Sequence, residues 1–128
     1  MATLLLLPML GYASNFSDAM RAYKRGHYKE AKQLFELAVE EDGARQAEFF
    51  LGLLYLRGKG VERNPIVAKR YLSKAAEMGN ARAKCYLAEL YLNQKKPKIQ
   101  TAMKLLKEGE SAGAEECSAV AAKYKIPL

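Results

Sequence analysis

The chain has 128 residues, of which 50% are hydrophobic and 27% charged; 21 Lys and Arg face 14 Asp and Glu, a net charge of +7. This balance is that of a globular protein and excludes a long disordered or low-complexity chain. A single His, two Asp and no Trp leave little from which to build a catalytic or metal site.

The excess of positive charge is spread along the chain. Its densest run is Lys95-Lys96 with Lys98, which reads as a solvated loop. No nucleic-acid-binding motif accompanies the charge, so no nucleic-acid partner is expected.

Residues 4–10 read LLLLPML and are followed by GYAS. The run is too short to span a bilayer, which takes about 20 residues. It has the form of the apolar region of a secretory signal, with Gly11 and Ala13 as small residues before a cut after Ala13. A basic stretch before it is missing, since Met1-Ala2-Thr3 carries no charge. The expectation is a signal peptide over 1–13 and an exported, periplasmic chain over 14–128. No second hydrophobic segment follows, so no stable membrane insertion is expected after cleavage.

Ser14 or Asn15 caps a first helix starting near Phe16, with Phe16, Ala19, Met20 and Tyr23 on one face. Gly26 ends it. Tyr28 to Glu41 forms a second helix with a stripe of Tyr28, Ala31, Leu34, Phe35, Ala38 and Val39. The string AYKRGHYKEAKQLFELAVEEDG resembles a tetratricopeptide repeat. His27 reads as a solvated turn residue rather than a catalytic base.

Helix A of the central hairpin runs from about Ala44 to Leu56. Gly52 costs about 1 kcal/mol there against alanine, which close packing of a neighbouring helix would compensate. RGKGVERN (57–64) is a turn; it lacks the Gly-Lys-Ser/Thr ending of a phosphate loop. Asn64-Pro65 starts helix B, which turns Val67, Ala68, Tyr71, Leu72, Ala75 and Ala76 inward and stops at Gly79. The pattern then restarts: AEFFLGLLYL (47–56) returns as AKCYLAELYL (83–92), a period of 36 residues. Periods of this size mean stacked helical hairpins.

The string AxxxLGxxYxxGxGVxxNxxxAxxxYxxKAAExGNxxA over 47–83 resembles the Sel-one-like repeat, a subclass of the tetratricopeptide superfamily. The resemblance is strong here, fair over 80–113 and only at superfamily level over 16–43. It implies an all-α, right-handed α-solenoid of about three antiparallel helical hairpins (15–43, 44–79, 80–113) closed by a C-terminal capping helix (114–124).

In the third hairpin NQKKPK (93–98) replaces the glycine loop and is two residues shorter. Lys96-Pro97 is expected to set the start of its second helix. Ala102, Leu105 and Leu106 form that helix's core face. Gly109 and Glu110 stand where the repeat has paired alanines, which marks a degenerate unit. Glu115 to Lys123 makes the last helix, with Val120 and Ala121 facing in.

Cys85 and Cys117 lie on helices expected to pack side by side, about two positions apart in repeat register. That is about 3 Å along the axis. A disulfide and a pair of buried thiols both fit. No further ligands accompany them, so no metal is expected.

The A helices of such an array line its inner wall. Phe50 and Leu54, with their equivalents Tyr86 and Leu90 one repeat on, would form an apolar and aromatic stripe across that wall. Arg57, Lys59, Arg63 and Lys95 would form a basic rim on the loop side. Such a surface suits a protein or peptide partner. No Ser-His-Asp, Cys-His or paired-carboxylate arrangement appears, so no catalytic residue, cofactor or enzymatic activity is expected.

The family resemblance implies a non-enzymatic scaffold or adaptor at the bacterial cell envelope. It also admits a periplasmic immunity protein that neutralises a toxic effector. A cell-wall-related binding or hydrolytic role is disfavoured by the missing acid/base pair.

Overall fold

The computed structural model describes residues 14–128. The expected leader, 1–13, lies outside them. The described residues form α1 (Asn15–Lys24), α2 (Tyr28–Asp42), α3 (Arg45–Arg57), α4 (Pro65–Glu77), α5 (Ala81–Leu92), α6 (Ile99–Ser111) and α7 (Glu115–Lys123). Pairs α1–α2, α3–α4 and α5–α6 are antiparallel hairpins. Helix α2 packs on α3, α4 on α5, and α7 on both α5 and α6. The architecture is an all-helical solenoid.

Local chemistry sets most of the boundaries. The Ser14 hydroxyl accepts from the Ser17 N–H, Asn64 Oδ1 from Ile66 and Val67, and Asn80 Oδ1 from Ala83. Each satisfies donors that a helix start leaves unpaired. Helix α6 is the exception, because it begins at Ile99 rather than at Pro97. The Lys98 N–H donates to the Tyr91 carbonyl at 3.1 Å, as the Asn64 N–H donates to the Tyr55 carbonyl at 2.9 Å. That bond marks the last loop residue in both hairpins. Pro65 follows it, whereas Pro97 precedes it.

Three apolar clusters lie along the array, each built from one hairpin and the first helix after it. The first joins Ala19, Ala31, Phe35, Ala38, Ala47, Leu51 and Leu54. The second joins Phe49, Leu53, Leu72, Ala75, Ala83 and Leu87. The third joins Cys85, Ala88, Ala102, Leu106, Cys117 and Val120. Fully burying a Leu or Phe side chain stabilises by about 1.5–3 kcal/mol. The small alanines let the helices approach. Gly52 carries this furthest, since a Cβ there would lie 2.8 Å from Leu72 Cγ.

The glycine loop docks rather than dangles. Gly60 has φ +71°, and a Cβ on it would lie 2.5 Å from the Tyr28 carbonyl carbon and 2.6 Å from Lys29 N. Val61 packs into the first cluster beside this contact. Gly60→Ala is therefore expected to cost about 2 kcal/mol, from left-handed strain plus the backbone overlap. Gly26→Ala, also left-handed but facing open space, should cost less. Urea denaturation midpoints check this; equal losses at the two positions would mean that the loop does not dock.

Among the described residues Glu48 is the buried charged group, 3% exposed. Its Oε1 lies 3.2 Å from Lys74 Nζ, which reaches in from α4. The sequence showed Lys74 as a motif position but not its buried carboxylate partner. Nearby, Tyr55 and Tyr71 stack at 5.8 Å. Burial and the neighbouring Tyr55, Glu36 and Glu48 hold the Tyr71 hydroxyl above the usual phenol range.

At the far end, a disulfide joins Cys85 to Cys117 with Cα atoms 4.6 Å apart. Both cysteines are fully buried. A Cβ on Gly109 would overlap Cys117 Sγ and sit 3.2 Å from Cys85 Sγ. The glycine that reads as decay of the repeat is thus the space into which the disulfide fits. Salt bridges flank the staple: Lys84 Nζ to Glu108 Oε2 at 3.0 Å, Lys123 Nζ to Glu89 Oε1 at 2.8 Å, and Arg82 to Glu116. Burial opposes ionisation of Glu116, but its own backbone N–H and the Arg82 guanidinium outweigh it and hold the carboxyl below the usual range.

Candidate partner-binding groove

The expected stripe of Phe50, Leu54, Tyr86 and Leu90 divides in two. Leu54 is 1% exposed and belongs to the first cluster, so it is core rather than binding surface. Phe50 is half-buried and stacks on Phe35 at 5.2 Å with its ring nearly parallel. It also meets Tyr23 edge-on at 5.3 Å and Phe16 at 6.2 Å. It is committed to holding the first hairpin. Side chains of α1 and α2 cover Phe50, and Val61 of the glycine loop joins them in the cluster that buries Leu54.

Tyr86 and Leu90 remain half-exposed on α5. With Leu56, Arg57, Arg63, Glu89 and Asn93 they line a groove enclosing about 290 Å³. A neighbouring depression of about 400 Å³ shares Arg63, Leu90 and Asn93 and continues to Pro65, Ile66 and Lys69. The two form one trough between the second and third hairpins, on the edge where the 57–64 and 93–98 loops lie.

The basic rim also divides. Arg57 donates to Tyr86 Oη at 3.2 Å and to Tyr23 Oη at 3.5 Å, linking α1, α3 and α5. Arg63 is anchored by donating to the Leu56 carbonyl at 3.1 Å. These two line the trough. Lys59 instead sits over the Tyr28 ring at 5.5 Å, beside the first hairpin. Lys95 is exposed and lines neither depression. The sequence reading missed Lys69, which lies over the Tyr91 ring at 4.6 Å, and Ile66, 81% exposed.

The trough presents fixed guanidinium groups and apolar side chains, a surface suited to binding. Its one carboxylate, Glu89, is paired with Lys123. Among the described residues no group of three His, Cys, Asp or Glu is placed to hold a metal ion. His27 is exposed and lies 3.8 Å from Glu30. No described helix is long and apolar enough to cross a membrane.

The hairpins, the glycine loop and this spacing match a known pattern: a family model for the Sel1 repeat fits residues 45–80 and 81–113, more than half of the chain. The chain belongs to the Sel1 repeat family. The first hairpin lies outside the matched residues. The crystal structure of a Sel1 repeat protein from Oxalobacter formigenes is similar, with a TM-score of 0.74 and 25% identity over 84% of this chain. The chain spans 43% of that protein's length. Among curated proteins, none matches. Sel1 repeats mediate protein–protein interactions, and the family is one of non-catalytic scaffolds.

Proposed function

We propose that this Sel1 repeat chain is a non-enzymatic scaffold or adaptor, exported to the bacterial cell envelope, that captures a protein partner at Tyr86 and Leu90. The observation that carries the reading is the open trough flanked by Arg57 and Arg63, where the equivalent apolar surface one repeat earlier is filled. Export is supported by the apolar run at 4–10 and by the Cys85–Cys117 bond, since disulfides persist in oxidising compartments such as the periplasm.

Affinity capture of the exported chain followed by mass spectrometry tests this reading. Tyr86→Ala and Leu90→Ala should abolish recovery of the partner while lowering Tm by only a few degrees. Phe50→Ala and Leu54→Ala should each lower stability by about 2–5 kcal/mol, with a marked fall in Tm, because they remove core contacts. Undiminished capture by both trough variants would overturn the assignment. For export, recovery of the chain from a periplasmic extract without residues 1–13 supports the reading. Recovery from the cytoplasm with Met1 in place overturns it.

A further inference from the structure

The trough lies where one loop is shorter than its counterpart one repeat earlier. In the central hairpin RGKGVERN folds back over the preceding hairpin: Gly60 meets the start of α2 and Val61 enters the cluster that buries Leu54. In the third hairpin NQKKPK is two residues shorter and carries neither the second glycine nor the valine. The start of α4, which occupies the place of the start of α2 one repeat on, therefore stays uncovered. Ile66 is left 81% exposed, and Leu90 stays half-open where its equivalent Leu54 is buried.

Apart from Glu89, which is paired with Lys123, the charges around this uncovered strip are positive. Arg57 and Arg63 line one part of the trough and Lys69 the other. Lys98 shares the Tyr91 ring with Lys69, its Nζ 5.6 Å from the ring centroid against 4.6 Å for Lys69. None of these four has a carboxylate partner within salt-bridge distance among the described residues. Glu62 lies on the neighbouring loop but lines neither depression.

We infer that the trough takes an extended acidic segment of a partner protein, which places an aliphatic side chain against Ile66 and Leu90 and its carboxylates on Arg57, Arg63 and Lys69. The aliphatic side chain supplies what Val61 supplies one repeat earlier. Charge complementarity fixes the register and selects against basic partners. A single-stranded nucleic acid would stack its bases on open aromatic faces, and here Arg57 lies over the Tyr86 ring and Lys69 over the Tyr91 ring. The inference rests on the partner-binding reading above and adds the chemistry of the bound segment.

A random linear peptide library, panned against the full chain with its disulfide intact, tests it. Selected peptides should carry Asp or Glu on both sides of Leu, Ile or Val, and binding should weaken as salt is raised. Arg63→Glu and Ile66→Asp should each weaken the selected peptides about tenfold or more. Lys107→Glu, on α6 and outside the trough, makes the same change in net charge as Arg63→Glu and should leave binding unchanged. Replacing residues 93–98 with RGKGVERN should fill the trough and abolish binding with the folded state intact by circular dichroism. Neutral or basic peptides that still depend on Tyr86 would overturn the acidic assignment while leaving partner binding in place. No enriched peptide would overturn both, as would equal binding to phosphatidylglycerol vesicles without peptide preference.

Discussion

Replacing Cys85 and Cys117 together with alanine is expected to lower the stability of the folded chain by about 3–4 kcal/mol and its Tm by roughly 10–20 °C. The bond closes a segment with a sequence separation of 32. Cross-linking a loop of that length removes conformational freedom from the unfolded chain, and that is where most of the effect arises. The sulfurs also fill space among Ala88, Ala102, Leu106 and Val120, so truncation removes contacts as well as the covalent link. Thermal and guanidinium unfolding of the oxidised chain and the double variant measure the difference. A loss under about 1 kcal/mol would show that the helices α5, α6 and α7 hold together without the staple.

Gly109→Ala should act with opposite signs in two backgrounds. In the oxidised chain the added Cβ meets Cys117 Sγ, and Cys85 Sγ lies behind it at 3.2 Å. Two bonded sulfurs cannot move apart to make room, so overpacking of about 2–3 kcal/mol is expected. With both cysteines changed to alanine the sulfurs are gone. The substitution then gains helix propensity, up to about 1 kcal/mol. A double-mutant comparison by chemical denaturation reads the coupling directly. Equal destabilisation in both backgrounds would point to the Ala81 carbonyl, 3.1 Å from the added atom, as the true obstacle.

The helices and their breaks were legible because their signals are local. Ser14, Asn64 and Asn80 cap through bonds that span two or three residues, and Glu115–Lys123 stands as read. The start of α6 was not, because a proline marks a helix entrance without saying on which side of the last loop residue it falls. Leu54 and Leu90 show a deeper limit. They occupy one position of the repeat, 36 residues apart, and have opposite fates. What separates them is Val61 and Gly60, which fold back in one hairpin and have no counterpart in the next. The same limit hid the role of Gly109. Its meaning depends on Cys85 and Cys117, which reach it from the helices before and after its own.

The staple also gives the array a direction. In stacked repeats each unit leans only on its neighbours, and stability is close to a local sum. The covalent ring closed at Cys85 and Cys117 contains α6 and ties α7 to α5, so its restraint falls on one end. The opposite end, α1 and α2, is held without a covalent link, by the apolar cluster around Phe35 and Phe50, the docked Gly60–Val61 loop and the Arg57–Tyr23 hydrogen bond. Opening should therefore begin there and travel toward the cysteines, with amide protons of α1 exchanging first and those of α5 last. The trough on α5 lies in the half of the molecule that opens last.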